Sequence, residues 1–104
     1  LHVAKAFDMV TSADLAGASY EDEVWFDDQC TLLVDPTGAI ATSFDGWYVY
    51  ADMVVTPATG TWLVRSGDGT KFFKIAIESF YSTPAGGEGA AGGRYRFRVA
   101  ELVP

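Results

Sequence analysis

Few residues in this chain have side chains that could carry out covalent or metal chemistry. Its 104 residues include one histidine, His2, one cysteine, Cys30, and two methionines, Met9 and Met53. A Ser-His-Asp triad, a Cys-His pair and a His-rich metal site cannot be assembled from a single His and a single Cys. The paired carboxylates also lack the apolar setting that tunes a carboxyl group for acid catalysis. We therefore predict that the protein is not an enzyme.

The single cysteine has two interpretations. In a secreted chain an unpaired Cys suggests a disulfide to another chain, whereas in a reducing compartment it is more often a small buried hydrophobe. Its neighbours Asp27, Asp28 and Gln29 are acidic or neutral and do not favour a catalytic thiolate at Cys30. We retain Cys30 as a candidate for an interchain disulfide.

Charge is distributed unevenly along the chain. Residues 1–52 contain ten acids and one base, a net charge of −9, whereas residues 53–104 contain four acids and six bases, a net charge of +2. The overall charge of −7 argues against nucleic acid as a partner, because phosphate binding needs a basic surface. The two halves can attract neighbouring copies of each other, so the asymmetry permits a homo-oligomer.

The acidic clusters between Glu21 and Asp28 do not have the spacing of a calcium site. Calcium needs six to eight oxygen ligands at ordered intervals, with a glycine for the turn. Asp27 and Asp28 follow the apolar triplet 24–26 without that register, which favours a short edge strand with solvated flanks. No apolar run approaches the roughly 18 to 20 residues of a membrane helix, so we predict no membrane span.

The elements that would position these residues are strands joined by tight turns. Thr61 to Ser66 and Thr70 to Tyr81 alternate apolar and polar residues on either side of Gly67-Asp68-Gly69, which tolerates the positive φ of a hairpin turn. The pattern places Phe73, Ile75 and Ile77 on an apolar face and Lys74 and Glu78 on the opposite face. It predicts a half-buried antiparallel hairpin at the centre of the fold.

The last predicted strand runs from Arg94 to Leu102. Its aromatic and β-branched side chains face one way and its three arginines the other, in a ladder of Arg94, Arg96 and Arg98. We expect Glu78 or the acidic N-terminal half to pair with this ladder. An anionic or carboxylate ligand is the alternative.

The remaining patterns are weaker. Residues 1–19 favour a loop with one turn of helix, and short strands are predicted at 24–26, 31–34 and 46–50. Together the patterns predict an all-β, β-rich domain over residues 1–104. Its antiparallel sheet is built on hairpins, with at most one or two short helical turns near the N-terminus.

Four stretches of the chain resemble the C-terminal half of HmuY-like proteins. They are an aromatic strand, a V-R-S-x-D-G turn, a lysine-containing strand and an aromatic-arginine strand: Gly46 to Tyr50, Trp62 to Gly69, Lys71 to Tyr81, and Arg94 to Leu102. HmuY-like proteins are secreted or lipid-anchored β-rich haem-binding proteins of Gram-negative bacteria. The resemblance implies a protein of the periplasm, the outer cell surface or the secreted fraction, possessing a haem site.

In this family the haem iron is held by two axial His or two axial Met. The resemblance therefore implies Met9 and Met53 as metal ligands and cofactor-binding residues, with His2 in reserve. It also implies an apolar pocket for the flat macrocycle lined by aromatic side chains, which are Trp47, Tyr48, Tyr50 and Trp62. The alternative is that methionines fill core gaps and the aromatic strands pack in the interior.

The chain departs from this family in lacking its N-terminal half of further strands. We therefore expect a second polypeptide, bridged through Cys30, or another copy of the chain to complete the sheet. The alternative function is a structural or interaction subunit of a multi-chain assembly, which keeps the fold without a ligand.

Overall fold

The computed structural model describes residues 1–40 and 42–104, and it confirms the predicted all-β fold. Its six strands are β1 (His2–Val3), β2 (Tyr48–Ala51), β3 (Val54–Pro57), β4 (Thr61–Arg65), β5 (Phe72–Ser79) and β6 (Arg96–Leu102). They form a four-stranded sheet in the order β1-β4-β5-β6 and a separate two-stranded sheet, β2-β3, and all pairs are antiparallel. Two short 3-10 turns, Phe7–Met9 and Ser12–Leu15, follow β1.

The predicted central hairpin is present as β4 and β5. Trp62 pairs with Ile75 and Val64 pairs with Phe73, so these four side chains share one face of the sheet, as the alternation predicted. Asp68 closes the turn, because its Oδ1 accepts hydrogen bonds from the Thr70 amide at 3.0 Å and from the Ser66 hydroxyl at 2.5 Å. These bonds favour the ionised carboxylate and lower the pKa of Asp68 to about 2.

This turn predicts a pH dependence. The pKa of Asp68 is lower in the folded chain than its ordinary value of 3.8, so its contribution to stability is complete above pH 3.8 and is lost as the pH falls towards 2. We expect the urea midpoint of the wild type to fall more steeply over this interval than that of Asp68→Asn. Asp28→Asn, at an exposed residue, is the control. Parallel acid profiles for wild type and Asp68→Asn would contradict this role.

The best-buried packing lies on the face of the sheet opposite to the one predicted. Leu63, Val10 and Leu102 are the buried apolar residues of this cluster, and Val3, Leu15, Tyr20 and Phe72 pack around them. The segment that follows β1 crosses this face, where the Lys74 ammonium group donates hydrogen bonds to the carbonyl oxygens of Phe7 and Val10, each at 2.8 Å. The predicted pattern placed Lys74 opposite the apolar face, and in the structure main-chain carbonyls replace water around its ammonium group.

Residues 1–19 and 46–57 also differ in part from the prediction. The N-terminus contributes the strand β1, in which His2 pairs with Trp62, whereas the short helical turns predicted after it are present as the two 3-10 turns. The strand predicted over 46–50 is β2, and the chain reverses after Ala51 through Asp52 and Met53, both with positive φ, at 51° and 61°. Two consecutive left-handed residues are typical of the two-residue turn that joins hairpin strands.

Segment 21–40 forms less sheet than its composition predicted. Single bridges join Phe26 to Leu32 and Val34 to Ile40, and the Leu33 amide donates a hydrogen bond to the Trp25 carbonyl oxygen. The predicted strands at 24–26 and 31–34 are thus reduced to isolated pairs in residues 21–40, which are called the acidic arm below. An isolated two-stranded pair buries little apolar surface, which explains the limited regular pairing.

The molecule has an open shape. The chain exposes 7263 Å² of surface, whereas a folded monomer of 11.2 kDa exposes about 5,700 Å². The radius of gyration is 15.6 Å, against about 13 Å for a compact domain of this length. The chain therefore leaves uncovered an area comparable with a large protein–protein interface.

Candidate interaction surfaces

The three residues predicted as haem ligands lie on separate elements. Met9 ends the first 3-10 turn with 69% of its surface exposed, and Met53 lies in the β2-β3 turn with 85% exposed. His2 lies in β1, where its ring packs 4.8 Å from the Trp62 ring and its Nε2 is 3.1 Å from the Thr59 carbonyl oxygen. The prediction that the methionines fill core gaps was wrong, since both thioethers face solvent.

The aromatic residues predicted to line one pocket divide into two clusters. Trp62 is 7% exposed and packs between His2 and Phe44. Trp47 packs instead against Tyr48, Phe80 and Tyr95, with ring centroids 4.9, 6.0 and 5.4 Å apart. Tyr50 is 64% exposed in the β2-β3 sheet. Trp47 and Tyr48 therefore share a surface that Trp62 does not join.

A cleft of 360 Å³ lies beside β4. Residues 62–67 form one wall, and the acidic run Glu21, Asp22 and Glu23 forms the opposite wall together with Phe44. Ser43 donates hydrogen bonds to Glu23, which hold the acidic run in place and lower the pKa of that carboxyl group. In the part of the chain that the structure describes, no cluster of three His, Cys, Asp or Glu residues could hold a metal ion.

Cys30 lies in the turn that joins the two sides of the acidic arm. It is exposed and adopts a positive φ of 62°, and its amide donates a hydrogen bond to the Asp27 carbonyl oxygen. The alternative prediction of a buried thiol was wrong. An accessible thiol is compatible with the predicted interchain disulfide, which stays a prediction.

Several acidic residues close turns. The Asp27 carboxylate accepts hydrogen bonds from the amides of Gln29 and Thr31, and Asp35 accepts them from Thr37 and Ala39. These bonds favour the charged form and lower the pKa of both carboxyl groups. The acidity of the first half therefore has a local structural role in its turns.

Two arginines of the predicted ladder, Arg96 and Arg98 in β6, are paired within the chain, as predicted. Arg96 contacts Glu88 at 2.8 Å and Glu78 at 3.3 Å, and Arg98 contacts Asp8 at 2.7 Å. Hydrogen bonding to the Arg98 guanidinium lowers the pKa of Asp8. Both arginines are thus neutralised by carboxylates of the same chain.

Large apolar side chains remain exposed on three elements. The opposite face of β6 exposes 57% of Phe97 and 51% of Val99, with Tyr95 just before the strand also at 51%. The β2-β3 sheet and the acidic arm add others, which include Val49, Tyr50, Val54, Val24, Trp25, Phe26 and Val34. Sequence alternation identified the apolar face of β6. In the described residues β6 ends the four-stranded sheet, and its apolar face stays exposed.

Comparison with known protein families, curated proteins and solved structures finds no match to this chain. Among the described residues, no helix is long and apolar enough to cross a membrane.

Proposed function

We propose that this protein is an interaction subunit of a multi-chain assembly, in which other polypeptide chains cover its exposed apolar side chains. The observation that carries the proposal is the surface of 7263 Å², about 1,600 Å² more than a compact monomer of this mass exposes. Obligate interfaces bury about 2,000 to 5,000 Å² in total, or about 1,000 to 2,500 Å² per partner. The surplus matches one such interface.

The distribution of the exposed residues supports the same function. Single exposed hydrophobes are ordinary on any protein, whereas contiguous apolar patches mark interaction sites. Here Trp47, Tyr48 and Tyr95 form one connected aromatic group, and Phe97 and Val99 extend it along β6. Tyr and Phe are enriched in the cores of protein interfaces because their rings bury large areas at a low cost in entropy.

Sedimentation of the purified chain, with and without reductant, tests this function. We expect a species heavier than 11.2 kDa, either on its own or after addition of its natural partner. Loss of the heavier species on reduction would show that an interchain disulfide at Cys30 holds the assembly together. A monomer under both conditions, with no co-purifying chain on a denaturing gel, would overturn the proposal.

Haem binding is the second proposed function, as a secreted or cell-surface HmuY-like module. Its support is the accessibility of the thioethers of Met9 and Met53, which are 69% and 85% exposed and so can be reached by a ligand. Met9 on the first 3-10 turn and Met53 in the β2-β3 turn would hold the iron through their thioethers. Trp47 and Tyr48 would then supply apolar contact to the ring.

A haemin titration followed by absorption tests this second function. We expect a sharpened Soret band that weakens in Met9→Ala and in Met53→Ala, because each substitution removes a thioether that would hold the iron. His2→Ala tests the reserve ligand in the same way. A titration without spectral change in the wild type would remove haem binding.

A further inference from the structure

The outer edge of β6 is free of backbone pairing in the described residues. The sheet order is β1-β4-β5-β6, so β6 pairs only with β5 and ends the sheet. The seven residues Arg96–Leu102 leave alternate amide and carbonyl groups on the outer side. A strand of this length provides enough backbone groups to pair with another strand.

The two charged side chains that flank Phe97 in β6, Arg96 and Arg98, do not protect this edge in the usual way. Natural proteins guard free edges with bare charges that repel an incoming strand. Here Arg96 is paired with Glu78 and Glu88, and Arg98 with Asp8. The charges of Arg96 and Arg98 are therefore largely compensated within each chain, so that two such strands can approach each other.

The apolar face of β6 suits a second copy of the same strand. Tyr95, Phe97 and Val99 occupy alternate positions and are each at least half exposed. Antiparallel pairing about a two-fold axis near Phe97 aligns these three residues with the three of the other copy, and a two-fold interface requires such self-complementarity. The pairing extends the sheet from four strands to eight.

We propose that two copies of this chain associate through antiparallel pairing of their β6 edges, with Phe97 at or beside the two-fold axis. This inference rests on the proposed function of an interaction subunit and identifies its partner as a second copy. The surplus surface of about 1,600 Å² belongs to the whole chain, and it is larger than the about 800 Å² that each partner buries in a standard interface.

Substitution of Phe97 by Asp tests the pairing. A carboxylate near the axis faces the same carboxylate of the other copy and loses the apolar contact, so we expect the dimer dissociation constant to rise at least about tenfold. Val49→Asp is the matched control, because Val49 lies in β2 and has the same exposed fraction of 57%. Sedimentation equilibrium measures the dimer dissociation constants of the two variants, and circular dichroism checks that each variant is folded. Equal weakening by the two substitutions would overturn the inference.

A cross-linking measurement keeps the test decisive if Phe97→Asp fails to fold. In a Cys30→Ser background, Phe97→Cys should form an intermolecular disulfide on mild oxidation, because residues facing each other across an antiparallel pair have Cβ atoms about 4.5 to 5.5 Å apart. Val49→Cys in the same background should remain monomeric on a non-reducing gel. Equal cross-linking of both, or of neither, contradicts pairing through β6.

The outcomes separate this inference from the function on which it rests. If the wild type assembles and the Phe97 variants behave like the Val49 variants, the assembly uses another surface and only the β6 pairing fails. If the wild type is monomeric at every concentration and no partner chain is found, the interaction function fails as well.

Discussion

Replacing Leu63 by Ala should lower the free energy of unfolding by about 2–5 kcal/mol, the range measured for deleting a fully buried Leu side chain. Leu63 is 1% exposed and packs between Val10 of the N-terminal segment and Leu102 of β6. It therefore joins three parts of the chain. Few side chains in the described structure are as well buried, so the remaining contacts offer little to compensate for the cavity.

The loss should be measured by urea unfolding at a fixed protein concentration, because association stabilises the folded chain. The total stability of a domain of this size is about 5–15 kcal/mol, so the variant should unfold at a much lower urea concentration. Val49→Ala, at an exposed site in β2, should change the stability by less than about 0.5 kcal/mol. Similar losses for both variants would show that the Leu63 cluster is not the core.

Gly60→Ala should release β1 from the sheet. Gly60 has a φ of 117°, a conformation that side chains other than that of glycine rarely adopt, at a cost of about 1–3 kcal/mol. A Cβ atom there would also lie 2.7 Å from the Val3 carbonyl oxygen and in contact with the His2 ring. The strain and the clash act together on β1, so we expect a loss of stability larger than the backbone strain alone.

Gly38→Ala is the matched control for this substitution. Gly38 also has a positive φ, of 86°, but a Cβ atom there meets no other atom within 4 Å. It should therefore cost only the roughly 1–2 kcal/mol of a left-handed alanine. Urea unfolding followed by tryptophan fluorescence compares the two, because Trp62 packs against His2. A loss in Gly60→Ala no greater than that in Gly38→Ala would contradict the close packing of β1.

The parts of the fold that the sequence predicted are those specified by local patterns. The alternation in 61–66 and 70–81, with a turn at Gly67-Asp68-Gly69, predicted β4 and β5 and the faces of their side chains. The ion pair between Arg96 and Glu78 also followed, because both residues lie on the same face of neighbouring strands. These features depend on residues close in sequence or on adjacent strands of a hairpin.

The features that the sequence did not predict depend on contacts between distant segments. The pattern of β5 places Lys74 opposite the apolar face but does not reveal that the carbonyl groups of Phe7 and Val10 lie above it. Leu63 lies in the core because Val10, from the distant N-terminal segment, packs against it. Alternation places Phe97 and Val99 on one face, but whether that face is covered depends on the order of strands in the sheet.

The candidate site was less predictable than the fold. Residue type alone singled out Met9, Met53 and Cys30, whereas the exposure that makes them accessible is a property of the turns in which they lie. For Met53 and Cys30 those turns have positive φ, which is uncommon for residues other than Gly, Asn and Asp. The sequence pattern therefore gave no reason to place either residue at an exposed turn.

Native mass spectrometry of the full chain at low and high protein concentration tests the central claim most directly. We expect a species of twice 11.2 kDa whose share rises with concentration, in accord with burial of the β6 face between copies. A species that combines the chain with a different polypeptide would retain the interaction function and exclude the β6 pairing. A single 11.2 kDa species at all concentrations, with no second polypeptide attached, would contradict the claim that this protein is an assembly subunit.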